Sequence, residues 1–252
     1  MTIIDKQRGG RSLGGAQGSV VAQMSDKSFA GPVPGQPHGA LARKRHQPMR
    51  DAQAMHTRAA IIEAATAMFV EKGYFATGVR DITARANVTS GALAHHFGNK
   101  EQLFLTIFDE LETEMLAQAH EYAQNISTYS WASLCGGISY FLDCATRANF
   151  RHIVLIEGPK VLGWKKWRQL EEKYSLGTLK GLLETFMAEG IVKRMDSDYL
   201  AKILFSCIIE AGTLIAHSPH GESARADVSI CLFTVLSGVC REHGDSSPPL
   251  PT

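Results

Sequence analysis

Between Val79 and Lys100 the chain gathers side chains suited to meeting a nucleic acid. Thr89 and Ser90 offer hydroxyls, His95 and His96 offer imidazoles, and Gly91 and Ala94 add almost no bulk. On one face of a short helix this set fits a major groove. Small residues allow close approach, backbone N–H groups meet phosphate, and hydroxyls or imidazoles meet base edges. Val79 and Arg80, at the start of a preceding helix, and Lys100, at the start of a following one, flank the set. A solvated helix of no function has the same composition, so the chemistry depends on how the surrounding elements hold it.

Those elements have readable ends. Thr77 precedes an apolar-periodic run and Asp81 falls in its first turn, where the helix dipole favours negative charge, so a helix is expected from about Gly78 to Arg85. Ala86, Asn87 and Val88 then form a turn, and Asn tolerates the left-handed backbone that such turns need. A second helix opens at Thr89, with Val88 and Leu93 inward. Asn99 and Gln102 make a capping-box-like pair for a third helix whose first residue is Lys100. A cation there opposes the dipole by roughly 0.3–1 kcal/mol, and a bound phosphate would turn that cost into a gain. Upstream, about Thr57 to Lys72 repeats Ile61, Ile62, Ala65, Met68 and Phe69 and ends at Gly73, the pattern of a scaffold helix. It is expected to pack on Ile82, Leu93 and Phe97, with Tyr74 and Phe75 closing the corner.

In order and spacing, residues 57–104 resemble the N-terminal domain of the tetracycline-repressor (TetR) family of bacterial transcription regulators. The shared elements are RAAIIEAATAMFVEKGY, Thr77, Asp81-Ile82, Gly91, Leu93, His96-Phe97 and Lys100-Glu101. The resemblance implies an all-α fold: a three-helix helix-turn-helix domain (about 55–115, reader motif about 79–98), then a larger helical effector-binding and dimerisation domain (116–243). It implies a homodimeric repressor released from a palindromic operator in double-stranded DNA by a small-molecule effector. Val79, Arg80, Thr89, Ser90, Gly91, Ala94, His95 and His96 would lie in or beside the groove and Lys100 on a phosphate. Three positions depart from the family pattern. Ala94 stands where a DNA-contacting tyrosine is usual, Asn87 where glycine is usual and Ser90 where lysine is common, which points to weaker binding. The alternative is a helical ligand-binding or protein-interaction dimer with weakened DNA affinity. Ala94 can still meet a thymine methyl. His95 and His96 donate more strongly when protonated, which predicts tighter binding toward pH 6. As neighbours about 100° apart on a helix they make poor metal ligands.

Composition agrees. The formal charge of +1 over 252 residues conceals a split, with 13 Lys and Arg against 6 Asp and Glu in residues 1–100 and 13 against 19 thereafter, so the reader end is basic. Five cysteines in apolar surroundings, with no C-x-x-C pair, suit buried, reduced thiols and a cytoplasmic protein. No signal peptide or apolar stretch of 18 residues indicates export or a membrane span. H-E-x-x-H and phosphate-loop motifs are missing from the sequence, so neither catalysis, metal nor cofactor is expected. Residues 1–50, rich in Gly, Ser, Gln and Pro, read as a disordered extension, and 244–252 as a disordered tail. The cluster Arg43, Lys44, Arg45 and Arg50 is either a flexible arm for a minor groove or a solvated tail.

Beyond Phe104 the pattern gives five or six more helices, broken near Ser127, Gly158-Pro159, Gly190 and Ser218 to Gly221. Asp198–His217 (Ile203, Leu204, Cys207, Ile208, Ala211, Leu214, Ile215) and Ala224–Arg241 (Val228, Cys231, Leu232, Val235, Leu236, Val239) carry broad apolar faces. In the resembling family the last two helices pair with their copies as a four-helix bundle, although an intramolecular core would look the same in sequence. The segment from Ile156 to Tyr174 resembles the C-terminal domain of one branch of that family. Its helices enclose an effector pocket, for which Trp131, Tyr140, Phe141, Trp164, Trp167, Phe186, Phe205 and His217 are candidates, plain core packing being the other reading.

Overall fold

The computed structural model describes residues 38–126 and 130–241, in ten α-helices and one π-helical stretch, with no strand among the described residues. It divides into two units, Met1–Arg45 and His46–Thr252; of the first, only the helical backbone of residues 38–45 falls in the described range. The first helix, α1 (His38–Lys72), is longer than its apolar stripe. Residues 49–56 are exposed, so a helical backbone runs through a stretch that offers no apolar period to read. The expected disordered extension is thus corrected over 38–50, where the chain is helical; 1–37 and 244–252 lie outside the described residues. In α1, Ile61, Ala65, Met68 and Phe69 are buried as expected, whereas Ile62 is only partly covered.

Next come α2 (Val79–Arg85), α3 (Ser90–Phe97) and α4 (Lys100–Ile126). Ile82, Leu93, Phe97, Leu103 and Phe104 complete the core begun by α1, and the rings of Phe69, Tyr74 and Phe104 stand 5.2 to 5.6 Å apart. Tyr74 therefore does close the corner, whereas Phe75 is 70% exposed and does not. The boundary expected near residue 115 falls inside α4, one unbroken helix of about 40 Å.

Along α4 pack α5 (Trp131–Cys144) and then a continuous helical run. In that run α6 (Ala148–Phe150) passes through a π-helical stretch (Arg151–Glu157) into α7 (Gly158–Leu162). Gly158-Pro159 was expected to interrupt the helix and does not. Pro159 sits in the first turn of α7, where its missing N–H costs nothing, and the π-type ladder comes immediately before it. The break falls instead at Gly163, whose φ of +76° disfavours any residue with a Cβ. From there α8 (Trp164–Ala188) lies over α9 (Ser197–His217), and α10 (Gly221–Ser237) packs back on α9 and α5. Breaks at Gly190 and before Gly221 agree with the expected positions; Ser127 lies outside the described residues.

The last two helices divide their apolar residues between two faces. Leu204, Ile208, Ala211, Ile215, Leu232 and Leu236 are buried. Tyr199, Ile203 and Leu214 of α9 and Ile230 and Val235 of α10 are 54–70% exposed. Helix α9 is long and apolar enough to cross a membrane by length and composition, which corrects the expectation of no such stretch. Its inner face is buried in the helical body, as the core helix of a folded domain would be. Of the five thiols only Cys144 is buried and Cys231 is exposed, so the expectation of uniformly buried cysteines fails.

Candidate nucleic-acid interface and ligand cavity

The reader motif is held by local caps and one left-handed residue. Asn87 has φ +53°, the conformation anticipated for the turn, and it lets Val88 N–H reach the Thr83 carbonyl at 2.9 Å. Thr89 Oγ1 accepts from Ala92 N–H at 3.2 Å and starts α3. The cap of α2 is different from the expected one. Its N-cap is Gly78, whose N–H donates to Asp81 Oδ2 at 3.2 Å, while Thr77 is buried and donates to the carbonyls of Gly73 (2.8 Å) and Met68. Thr77 thus ties the end of α1 to the corner. Arg85 grips both oxygens of Glu71 at 2.9 and 2.8 Å, fixing α2 against α1 and holding the Glu71 carboxyl below its usual range.

With Leu93 and Phe97 buried, Ser90, Gly91, Ala94 and His95 are exposed on the opposite side of α3, as is Thr89 just before it. His96 is half-buried, its ring 5.3 Å from that of His95. Arg80 is exposed and Val79 is partly buried on the core. Lys100 is placed otherwise than a phosphate ligand would need. Its Nζ donates to the carbonyls of Tyr74 (3.0 Å) and Thr77 (2.9 Å) and stands 4.1 Å from the Tyr74 ring centre, and burial pushes its pKa down. The cation at the start of α4 therefore has protein partners that account for it. Tyr74 is held from both sides, because its N–H donates to Glu157 Oε2 at 2.8 Å. Glu157, at the end of the π-helical stretch, also takes Lys160 Nζ at 2.9 Å, so one buried carboxylate joins the helical body to the reader corner.

A cavity of about 490 Å³ opens among α4, α5, α8 and α9, lined by Met115, Leu134, Phe141, Leu179, Phe205 and Ile208 among others. Of the aromatic candidates it collects Phe141 and Phe205. The other six lie elsewhere. Trp131 is half-buried against Phe186, which is core, and Tyr140 is spent on Gln118 and Arg147. Trp164 is 61% exposed, and Trp167 is fully buried with its indole N–H on the Val154 carbonyl at 3.0 Å. His217 is exposed at the end of α9. The aromatic criterion fails because aliphatic side chains build most of the wall.

Besides Glu157, sequence reading missed two further buried acids, Glu112 of α4 and Glu171 of α8, the latter in the cavity wall. The signal was available: Glu112 lies four residues after Phe108 and three before Met115, and Glu171 four after Trp167, all on buried helical registers.

Two exposed-faced helices crossing at a tight turn, with a long helix behind them, define a helix-turn-helix DNA-binding regulator. Residues 61–107 match the family model "Bacterial regulatory proteins, tetR family" and residues 131–239 match "Tetracyclin repressor-like, C-terminal domain". The chain belongs to the TetR family of transcription regulators, proteins that bind DNA and are not enzymes. It is 28% identical over 148 residues to the transposon Tn10 TetC protein of Escherichia coli, covering 59% of this chain and 74% of that one. Over 65 residues it is 45% identical to the HTH-type transcriptional repressor Rv3405c of Mycobacterium tuberculosis, but this spans only 26% of the chain and 35% of the repressor. The crystal structure of a TetR-family regulator from Pectobacterium atrosepticum superposes with a TM-score of 0.65 at 26% identity, covering 76% of this chain and 97% of that one.

Proposed function

We propose that the protein is a homodimeric, ligand-released repressor that sets its two α3 helices into successive major grooves of a palindromic operator. The observation that carries this reading is the exposed face of α3. It presents Ser90, Gly91, Ala94 and His95 on a helix whose other side is locked by Leu93 and Phe97. Arg80 is assigned to the adjacent backbone, and Val79, Thr89 and His96 to the edges of the contact. Lys100 acts by holding the Tyr74 and Thr77 carbonyls rather than by reaching a phosphate.

The exposed apolar residues of α9 and α10 supply a reason for dimerisation, since Tyr199, Ile203 and Leu214 share one exposed side of α9 and Ile230 and Val235 are exposed on the adjacent α10. Residues 55–115 are assigned to DNA binding and 116–243 to ligand and partner, with α4 shared between them. A ligand in the cavity releases DNA only if it favours an arrangement in which the two reader helices no longer match grooves about 34 Å apart. The Glu157–Tyr74 hydrogen bond is one link, beside the shared α4, through which movement of the helical body would reach the reader corner. A repressor of this kind acts in the cytoplasm, where its DNA lies.

DNase footprinting on the DNA upstream of the coding region, with sedimentation to fix the oligomer, tests the reading. It expects a dimer and two protected half-sites one helical turn apart. A monomer, or a single protected patch, contradicts it, and a dimer without protection favours the alternative of a ligand-binding module that has lost DNA affinity.

A further inference from the structure

Glu171 in the cavity wall and Glu112, which interacts with it from outside the lining, make a feature that apolar packing does not require. Both carboxylate oxygens of Glu112 and Oε1 of Glu171 are buried without a hydrogen-bond partner among the described residues. Buried polar atoms are nearly always satisfied, and an orphaned acid costs enough that its retention needs a reason. Glu112 and Glu171 also interact with each other through space, Asp109 adds a further negative charge near Glu112, and Cys144 of α5 lies close to it. Arg168, on the same helix as Glu171, directs its guanidinium to Ser206 Oγ at 2.7 Å, to Glu172 and over the Phe205 ring. His120, the other titratable cavity residue, pairs with Gln124 at 2.7 Å. From α9 the wall is apolar, with Phe205, Ile208 and Ile209.

We propose that this cavity takes an apolar molecule carrying one protonated nitrogen, which docks on Glu171 with Glu112 behind it. The inference rests on the effector reading above and names the class of effector. An ammonium has donors and no acceptor, the complement of two carboxylates short of donors, while Phe141, Leu179 and Ile208 cover the hydrocarbon. A neutral alcohol brings one donor and no charge. A carboxylate ligand would bring a buried negative charge to a wall that holds no Lys or Arg among its described residues to pair it. Because burial raises both acids, with Glu171 pushed up to about 8, Glu171 holds its proton near neutrality, and arrival of a cation must drive it off. The balance is one ammonium bound and one proton released to solvent.

Calorimetric titration of the full chain with decylamine, decanol and decanoate at pH 7 tests the proposal. Decylamine is expected to bind at least ten-fold more tightly than decanol and to release close to one proton, measured from the dependence of the heat on buffer ionisation. Glu171→Gln, which keeps the shape, is expected to bring decylamine to the level of decanol and leave decanol unchanged. Leu179→Trp, which fills the cavity, is expected to weaken all three. Equal binding of amine and alcohol, tighter binding of decanoate, or an amine preference that survives Glu171→Gln overturns the proposal. If none of the three binds a protein that still footprints its operator, the cavity reading falls with it. Amine binding that leaves the operator complex intact supports the ligand class and refutes release.

Discussion

Replacing Glu171 with glutamine removes a buried acid at constant shape, and the size of its effect follows from where that acid titrates. Glu171 is pushed from its usual value near 4.5 to about 8, chiefly because burial penalises its charged form, with Arg168 opposing. Its folded value is therefore the raised one. Below pH 4.5 the carboxyl is protonated in both the folded and the unfolded chain and carries no penalty. Between 4.5 and 8 the unfolded chain ionises while the folded chain keeps its proton, so stability falls through this window and levels off above it. At about 1.4 kcal/mol per pH unit, the loss assignable to Glu171 is about 3 kcal/mol by pH 7. Urea unfolding of both proteins at pH 5 and pH 7, at one fixed protein concentration because a dimer's stability depends on it, reads this directly. The two are expected to lie within about 1 kcal/mol of each other at pH 5, with the Gln variant ahead by about 3 kcal/mol at pH 7. A difference that is the same at both pH values would refute the reasoning, because a role in shape alone has no pH dependence.

Lys100→Met removes two hydrogen bonds to Tyr74 and Thr77 and is expected to destabilise by about 1–3 kcal/mol in thermal unfolding while leaving the salt slope of DNA binding unchanged. A slope smaller by about one would return Lys100 to a phosphate. Asn87→Val forces a β-branched residue to φ +53° and should cost about 1–2 kcal/mol by urea unfolding, whereas Asn87→Gly should cost nothing. Equal stability of the two variants would mean that the turn relaxes. In Gly212→Ala the new methyl would stand 2.6 Å from Phe141 Cζ and 2.7 Å from Cε1, with a cost of about 1–3 kcal/mol and a weaker grip on decylamine as the ring moves into the cavity. Unchanged amine affinity would separate Phe141 from the ligand.

The reader motif was legible because its signals are restrictive. Few residues other than glycine accept the backbone of Asn87, and a threonine before an apolar-periodic helix has a strong tendency to cap it, as Thr89 does. Thr77 carries the same hydroxyl yet is buried and bonded back to α1, a choice made by tertiary packing that spacing does not encode. Lys100 misled for a similar reason. A cation at a helix start looks unsatisfied until Tyr74, 26 residues earlier, is brought beneath it. The helical spans Asp198–His217 and Ala224–Arg241 were close to α9 and α10, but helical period alone could not divide Ile203 and Leu214 outside from Leu204 and Ile215 inside. The cavity was the least legible part. Trp167 and Phe186 fill core, while Leu179 and Ile208, unremarkable in sequence, line the space.

The most direct test of the central claim is fluorescence anisotropy of the purified protein on the DNA upstream of its own coding region, against a scrambled duplex, across a series of salt concentrations. The exposed α3 face predicts tight binding that prefers the native sequence and weakens steeply and log-linearly with salt, as phosphate contacts require. Weak binding that is equal on both duplexes and insensitive to salt would contradict it.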